Sequence, residues 1–531
     1  MTERGSSRRP GRMARRRAAV LVGVHLVLVA HVAWWWFERR PVLSPLEPSE
    51  AMRFGVEGVV NAGLLLFAVA GLATLVFGRF FCGWGCHLIA LQDGCRWLLL
   101  KLGLRPKPFR SRLLRWVPVA AFVYMFLGTP LLRAFRGEPW PGFRGFELTT
   151  QAFWATMPTW PVAVATFLVC GGVVVWLLGS KAYCTYACPY GALFTAVEAL
   201  APGRIRVDDS CRQCGKCTAA CTSDVRVHAE VHAYGMVVDP GCMKCMDCVD
   251  ACPNGALSYG WGRPAVLARE RAVPAPGPKP LPWGQDLLAL AGFLVVFVAT
   301  RGLYGEIPFL FALGLGGVGA WLAWTTWASF RRSDLRFARW PLRRGGRTTR
   351  AGRVFRLGAL AAWLLVAHSL AYQAVSWKRD RVSYAMMGWG NAVLAGTAEG
   401  TPPEVRALAE EVLRLTALSE RLALLPDDRL PFQEAWARLA LGDEAGFQAG
   451  LDEVLRRRPG FGEVLLQRGL WRWRRGDVAG ARADWEAIPW SDPRWTEARA
   501  WLADLEGRPR DAAGGEGAGE ELREAFDGAW R

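Results

Sequence analysis

Cys211-Arg-Gln-Cys214-Gly-Lys-Cys217-Thr-Ala-Ala-Cys221 is followed, after a short insert, by Cys242-Met-Lys-Cys245-Met-Asp-Cys248-Val-Asp-Ala-Cys252-Pro253. In each run three cysteines stand two residues apart and a fourth follows after three more. Three thiolates at this spacing wrap one cubane inside a tight loop, and the fourth projects from the next helical turn toward a neighbouring cluster. Cys211, Cys214, Cys217 and Cys252 are therefore expected to hold one [4Fe-4S] cluster. Cys242, Cys245, Cys248 and Cys221 are expected to hold the other. Zinc is the rival ligand, but it normally takes paired Cys-x-x-Cys or Cys/His knuckles, not two complete four-cysteine runs. One departure stands out: Cys221 is followed by Thr222 where the second run has Pro253. The form of the first turn is left open by it.

The paired runs follow the bacterial two-cluster ferredoxin pattern and predict a small α+β domain over 204–262. The surroundings are different in kind. The chain has 531 residues, 65 Lys and Arg against 47 Asp and Glu, 52% apolar residues and 27 Trp. Such apolarity excludes a disordered chain. The excess positive charge lies between long apolar runs, which argues against a nucleic-acid binder and for a multi-pass membrane protein. Eight of the 14 cysteines sit in the two runs, and the chain is far too long for a disulfide-stapled mini-domain.

Seven apolar stretches are candidate spans: 18–37, 58–77, 116–132, 160–179, 281–300, 307–328 and 357–375. Each approaches the length needed to cross a ~30 Å hydrocarbon core. The stretch 116–132 is short, and 281–300 carries Gln285 and Asp286 near one end. The Arg-rich segment 1–17 precedes the first span, which has no clean small-x-small cleavage site and reads as an anchor. Trp34, Trp35 and Trp36 end that span as an interfacial belt. Lys and Arg crowd 79–112 and 331–350, so these segments and the N-terminus are expected in the cytoplasm. Odd parity then puts the C-terminus outside and the ferredoxin segment inside, where thiolates stay reduced. The expected organisation is a four-helix membrane region over 18–203, the inserted ferredoxin domain, and a three-helix membrane region over 281–375.

A second set of cysteines belongs to the membrane part. Cys82-Gly-Trp-Gly-Cys86-His87 follows the second span and Cys184-Thr-Tyr-Ala-Cys188-Pro189 follows the fourth, 102 residues on. Phe81 matches Tyr183, and Ala90-Leu91 matches Ala192-Leu193, so the two hairpins form an internal repeat. On a helix, Cys-x-x-x-Cys puts both thiols on one face. Four such thiols at one membrane edge could hold copper or a further iron–sulfur centre, or be buried free cysteines. Cys95 and Cys170 stand alone and read as packing residues. His25, His31 and His368 are intramembrane, where ionisable groups invite a functional reading, but hydrogen-bonded packing is simpler than haem ligation. His87 is a further metal candidate beside Cys86. His228 and His232 read as a solvated helix face.

Beyond the last span, residues 403–508 become amphipathic and charged. Gly442-Asp443 recurs as Gly476-Asp477 and Pro459 as Pro493, both 34 residues apart. That is the tetratricopeptide period, and it predicts a short array of helical pairs outside the cytoplasm, as a docking surface for a periplasmic protein. Residues 509–531 read as a flexible tail.

The combination of Arg79-Phe80-Phe81-Cys82-Gly83-Trp84-x-Cys86, Tyr183-Cys184-Thr185-Tyr186-Ala187-Cys188-Pro189-Tyr190-Gly191 and the two ferredoxin runs resembles a known family. It is similar to the polytopic iron–sulfur proteins of the nitrous-oxide-reductase-regulator and periplasmic-nitrate-reductase quinol-oxidase type (NosR/NapH-like), and to cbb-type cytochrome oxidase accessory proteins. The resemblance covers roughly residues 18–262. It implies membrane electron transfer from quinol to a periplasmic acceptor, or metal reduction for oxidase assembly. The chain departs from the family at Cys86-His87, where Cys-Pro is usual, and has no counterpart of the flavin-binding periplasmic domain.

The expected fold class is thus mostly α: a multi-pass helical membrane protein with an inserted two-cluster ferredoxin-like α+β domain and a tetratricopeptide-like C-terminal domain. The expected function is relay of electrons through two [4Fe-4S] clusters between the quinone pool or a cytoplasmic donor and a membrane or periplasmic acceptor. Two alternatives stand beside it: a copper-reducing assembly factor for a respiratory oxidase, and a redox-sensing scaffold acting through its helical repeats. Cytoplasmic clusters alone cannot bridge a ~30 Å core in one electron step, so a quinone, a metal at the Cys-x-x-x-Cys pairs, or the cofactor of a redox-partner protein has to complete the path.

Overall fold

The computed structural model describes residues 11–154, 157–273, 277–398 and 400–506. It is mostly helical, at 65%. The first helix, α1 (Arg12–Glu38), starts six residues before the expected span. Next come α2 (Ala62–Phe77), the five-residue α3 (Phe80–Trp84) and α4 (His87–Lys101). Two further helical spans follow, α5 (Leu114–Arg136) and α6 (Trp160–Leu178), each with a π-helical stretch inside. Then come α7 (Ala182–Tyr186) and α8 (Pro189–Glu198). The pairs α3–α4 and α7–α8 are offset by 102 residues at three boundaries: Phe80 against Ala182, Trp84 against Tyr186 and His87 against Pro189. The repeat read from the cysteines is therefore a repeat of backbone.

Among the described residues six helices are long and apolar enough to cross a membrane: α1, α5, α6, α12 (Trp283–Thr300), α13 (Phe309–Arg331) and α14 (Arg350–Ala395). The second expected span is shorter than its apolar run. Asn61 caps α2 by accepting a hydrogen bond from the Leu64 amide at 2.9 Å, and Gly58 ends a short helix, Met52–Glu57, in the left-handed region. The 16 residues of α2 therefore reach only about 24 Å.

Between α8 and α12 the chain forms a compact unit closed at its base by two antiparallel strands, β1 (Gly203–Val207) and β2 (Leu257–Trp261), paired from Gly203↔Trp261 to Val207↔Leu257. Short helices α9 (Lys216–Ala220), α10 (Val227–Tyr234) and α11 (Asp247–Asp250) lie between them. Ile205, Val225, Val227, Val231, Val237, Met246 and Leu257 make its core. A three-stranded sheet, β3 (Leu335–Phe337), β4 (Trp340–Arg344) and β5 (Arg347–Thr348), connects α13 to α14.

Hydropathy marked only 357–375 of α14, yet the helix runs unbroken for 46 residues. After it come α15 (Pro403–Leu422), α16 (Arg429–Ala440), α17 (Glu444–Arg457), α18 (Gly462–Arg474), α19 (Val478–Glu486) and α20 (Trp495–Leu505). Asp443 caps α17 through the Gly446 amide and Asp477 caps α19 through the Gly480 amide, both at 2.8 Å. Gly442 (φ 88°) and Gly476 (φ 83°) precede these caps in the left-handed region, which glycine enters without steric cost. The Gly-Asp recurrence is thus one turn built twice. The tail 509–531 lies outside the described residues.

The β1–β2 unit and the C-terminal helices meet opposite ends of α1. Near its start the Ala14 amide donates to Asp250 at 2.9 Å, and Arg17 pairs with Asp93 at 2.8 Å and Asp247 at 3.7 Å. Near its end Trp35 packs on Trp490, with ring centroids 5.8 Å apart, and Gln151 donates to Thr496 at 2.8 Å.

Candidate functional site

The two four-cysteine runs have matching backbones. Gln213 (φ 51°) and Gly215 (φ 72°) flank Cys214, and Lys244 (φ 52°) and Met246 (φ 65°) flank Cys245 in the same way. Alternating left-handed residues turn successive amides toward one point, the form of an anion-binding nest. Left-handed Gln, Lys and Met are uncommon and unfavourable. They recur at equivalent positions of the two runs. The fourth cysteines also match. Asp224 (φ 58°) stands three residues after Cys221 and Gly255 (φ 65°) three after Cys252. Thr222 therefore leaves the turn intact without proline. Both oxygens of Asp224 accept from Arg110, at 2.9 Å each.

Cys211, Cys214, Cys217 and Cys252 line one small cavity. Cys221 lies among Cys242, Cys245 and Cys248, close enough for their charges to act on one another. Burial, then the neighbouring Cys242, pushes the Cys221 thiol up to about 12. Thiols in such surroundings are stable as thiolates only with a compensating cation. Four sulfur donors per group and the backbone nests fit a [4Fe-4S] cluster in each, the first nearer the surface at the exposed Cys214 and the second around the buried Cys248. His228 belongs to the wall of the first cavity and bonds Thr218 at 2.8 Å, whereas His232 is exposed.

The membrane cysteines also meet. Cys82, Cys86, Cys184 and Cys188 line one apolar cavity of about 350 Å³, with Val24, Val27 and Leu28 of α1 forming the facing wall. Among the described residues no three His, Cys, Asp or Glu side chains close around a point where a single metal ion would sit. Gln92 donates across the repeat to Cys184 Sγ at 3.0 Å. Arg79 is buried beside Cys82, donates to Thr195 and the Pro240 carbonyl, and among the described residues has no carboxylate on its guanidinium. A buried cation without a carboxylate beside four thiols suits an anionic centre. His87 Nε2 lies 3.7 Å from Glu47 Oε2 at the cavity edge.

The two cysteine sets are in direct contact through the backbone. Trp84 Nε1 donates to the Lys244 carbonyl at 2.9 Å. Gly83 lies so close to the second run that a Cβ there would fall 2.1 Å from the Met243 carbonyl oxygen. Beneath this contact Glu198, wholly buried, binds Arg204 at 2.8 Å and Lys244 at 2.7 Å, and accepts from the Arg79 amide at 2.8 Å. Sequence reading did not find Gln92 or Glu198, and named Arg79 only as part of a motif and of a basic segment, with no role at the thiols. A charged residue inside an apolar stretch was the available signal for Arg79 and Glu198.

The other candidates are packing residues. His25, His31 and His368 each bond a backbone carbonyl, of Leu21, Leu43 and Leu422, at 2.8–2.9 Å, and do not converge. Cys170 is buried against Gly314.

The 4Fe-4S dicluster domain family matches residues 210–257, and a 4Fe-4S binding domain family matches 61–105 and 160–207. The second match contains both Cys-x-x-x-Cys pairs. The putative electron transport protein YccM of Escherichia coli is 28% identical over 246 residues, 44% of this chain and 63% of that protein. The methylamine utilization ferredoxin-type protein MauN of Methylorubrum extorquens is 26% identical over 45% of this chain and 85% of its own length. The ferredoxin-type protein NapH of Haemophilus influenzae is 25% identical over 38% of this chain and 67% of its own. No solved structure matches.

Proposed function

Because the chain is a homologue of the ferredoxin-type electron-transport proteins and carries 4Fe-4S domains, we propose that it exchanges electrons between the quinone pool and a protein partner, using the four membrane cysteines as the link. The observation that carries this reading is the apolar cavity on which all four thiols open beside Gly83, itself against the second ferredoxin run. Its volume, about 350 Å³, is in the range of small-molecule sites.

In this reading Cys211, Cys214, Cys217 and Cys252 hold one cluster, and Cys242, Cys245, Cys248 and Cys221 the other. Cys82, Cys86, Cys184 and Cys188 hold a further iron–sulfur centre, because all four thiols open on one cavity and the 4Fe-4S binding domain family matches both segments that carry them. When bound, such clusters supply one-electron carriers whose potentials follow charge and hydrogen bonding. The chain's own residues do the rest. The aliphatic wall of α1 admits a quinol ring from the bilayer. Oxidation of that ring to quinone releases two electrons toward the cysteines and two protons, and His87 with Glu47 is the protonatable pair at hand. Arg79 balances the negative charge of the thiolates.

The ferredoxin domain belongs to 204–262, the membrane regions to 18–203 and 281–375, and the tetratricopeptide-like helices to 403–508. With the shorter α2 counted as a seventh crossing, because Gly78 at its end lies against Glu198 and Lys244 on the ferredoxin side, the first faces the cytoplasm and the last the periplasm, where it docks a redox partner. The arginine-rich segments at the ferredoxin end support that orientation. A cytoplasmic reporter fused after Gly78 and a periplasmic one after Gly396 should both be active; the opposite pattern would reverse the sidedness.

The test of the central reading uses full-length protein in proteoliposomes without oxygen. Added quinol should bleach the cluster absorbance. Serine at Cys82, Cys86, Cys184 and Cys188 together should remove about four irons, keep about eight, and abolish bleaching by quinol but not by dithionite. Equal bleaching by quinol in the variant would reject the cavity as the entry point. Copper in place of the missing iron would favour the copper-reducing reading.

A further inference from the structure

The same end of the helices carries a second, larger cavity that has no part in this electron path. It measures about 950 Å³ and is enclosed by the loop after α4, the last turn of α6, the end of α13 and the β3–β4 hairpin. Its inner wall is aromatic. Phe337 packs on Trp176 and Trp321, with ring centroids 4.8 and 5.0 Å apart, and Trp324 meets Phe109 edge-on at 5.9 Å. Its rim is cationic: Arg105, Lys107, Arg332, Arg336 and Arg339 face it, with Asp334 as the one carboxylate. The Asp334 carboxylate accepts from the Gly345 amide at 3.1 Å. Among the described residues none of the five cations is in an ion pair.

Five unpaired cations around one cavity repel one another, so the cavity is at its most stable with an anion inside. The tryptophans say which kind. Indole rings favour the boundary between hydrocarbon and headgroups, and these lie where α6 and α13 reach the ferredoxin end, next to Arg110 and its partner Asp224. A ligand that uses both surfaces has a phosphate group and an apolar body. We propose that this cavity binds the headgroup of an anionic phospholipid. The rim holds the phosphodiester, the tryptophans cover the glycerol and first methylenes, and the acyl chains lie along α6 and α13. Basic pockets between membrane helices recognise anionic headgroups in this way.

Native mass spectrometry of the full-length protein in detergent tests it, with dioleoylphosphatidylglycerol and dioleoylphosphatidylcholine titrated separately. Phosphatidylglycerol should bind about tenfold or more tightly than phosphatidylcholine. Lys107→Gln, Arg336→Gln and Arg339→Gln together should erase that preference while cluster absorbance stays unchanged, because the three side chains are exposed. Inorganic phosphate added in excess should leave the lipid adduct in place. Equal binding of the two lipids by the unmodified protein would overturn the proposal. So would a preference that survives in the triple variant, or displacement of phosphatidylglycerol by inorganic phosphate, which would make this a site for the free ion.

Discussion

The ferredoxin runs and the membrane cysteine pairs are two solutions to gathering sulfur. In the runs the backbone does the work: left-handed residues curl the loop, and three of four sulfurs come from seven consecutive residues. In the pairs the backbone is ordinary helix and turn, and packing of two repeats brings the thiols to one cavity. The first arrangement is written locally. The second exists only once α3–α4 and α7–α8 are docked. A local loop therefore tolerates change around it, whereas a site made by packing depends on distant residues such as Gln92 and Arg79.

The largest expected effect tests the one non-local feature of the runs. Cys252→Ser should empty the group formed by Cys211, Cys214 and Cys217, removing about four irons, and spare the group next to it in sequence. Iron and labile-sulfide analysis with EPR of the reduced protein decides it. Loss of the neighbouring cluster instead would mean that each run serves itself.

A second test separates docking from assembly. Glu198 has two buried cationic partners, so Glu198→Gln should weaken the seating of the ferredoxin unit by about 3–5 kcal/mol. Thermal unfolding should shift down, while reconstituted protein keeps both ferredoxin signals. If cluster loading fell as well, the two regions would not be separately built.

The smallest effect is confined to the membrane pairs. Gln92→Leu removes a hydrogen bond to Cys184 worth about 1 kcal/mol. It should lower the reduction potential of the membrane centre and leave the ferredoxin potentials alone. An EPR-monitored redox titration that moved all signals together would show that Gln92 acts through the whole structure.

How much of this was legible follows the same division. The ligand runs could be read because spacing along the chain is the geometry of the loop. The 102-residue repeat was legible because like sequences fold alike, and it foretold matching helices. The extent of α14 was not. Lys378-Arg379-Asp380-Arg381 ends the apolar run, but charge does not end a helix, and Arg379 is buried against Asp427. The start of α2 was misjudged because Gly58–Val60 are apolar yet lie before the Asn61 cap. A single hydrogen bond of Glu198 spans 119 positions, and no local pattern announces that.

The unbroken α14 has a mechanical meaning. At 46 residues it is a rod about 69 Å long. Its far half, of about 20 residues, extends roughly 30 Å beyond the apolar stretch. A rod without a joint cannot absorb motion at its middle. A 10° tilt of the apolar half would sweep the far end through roughly 5 Å, by the same rise per residue. The C-terminal helices are pinned to this rod at His368 and to the α1 end through Trp490 and Thr496, so a tilt of the rod reaches those contacts as torque.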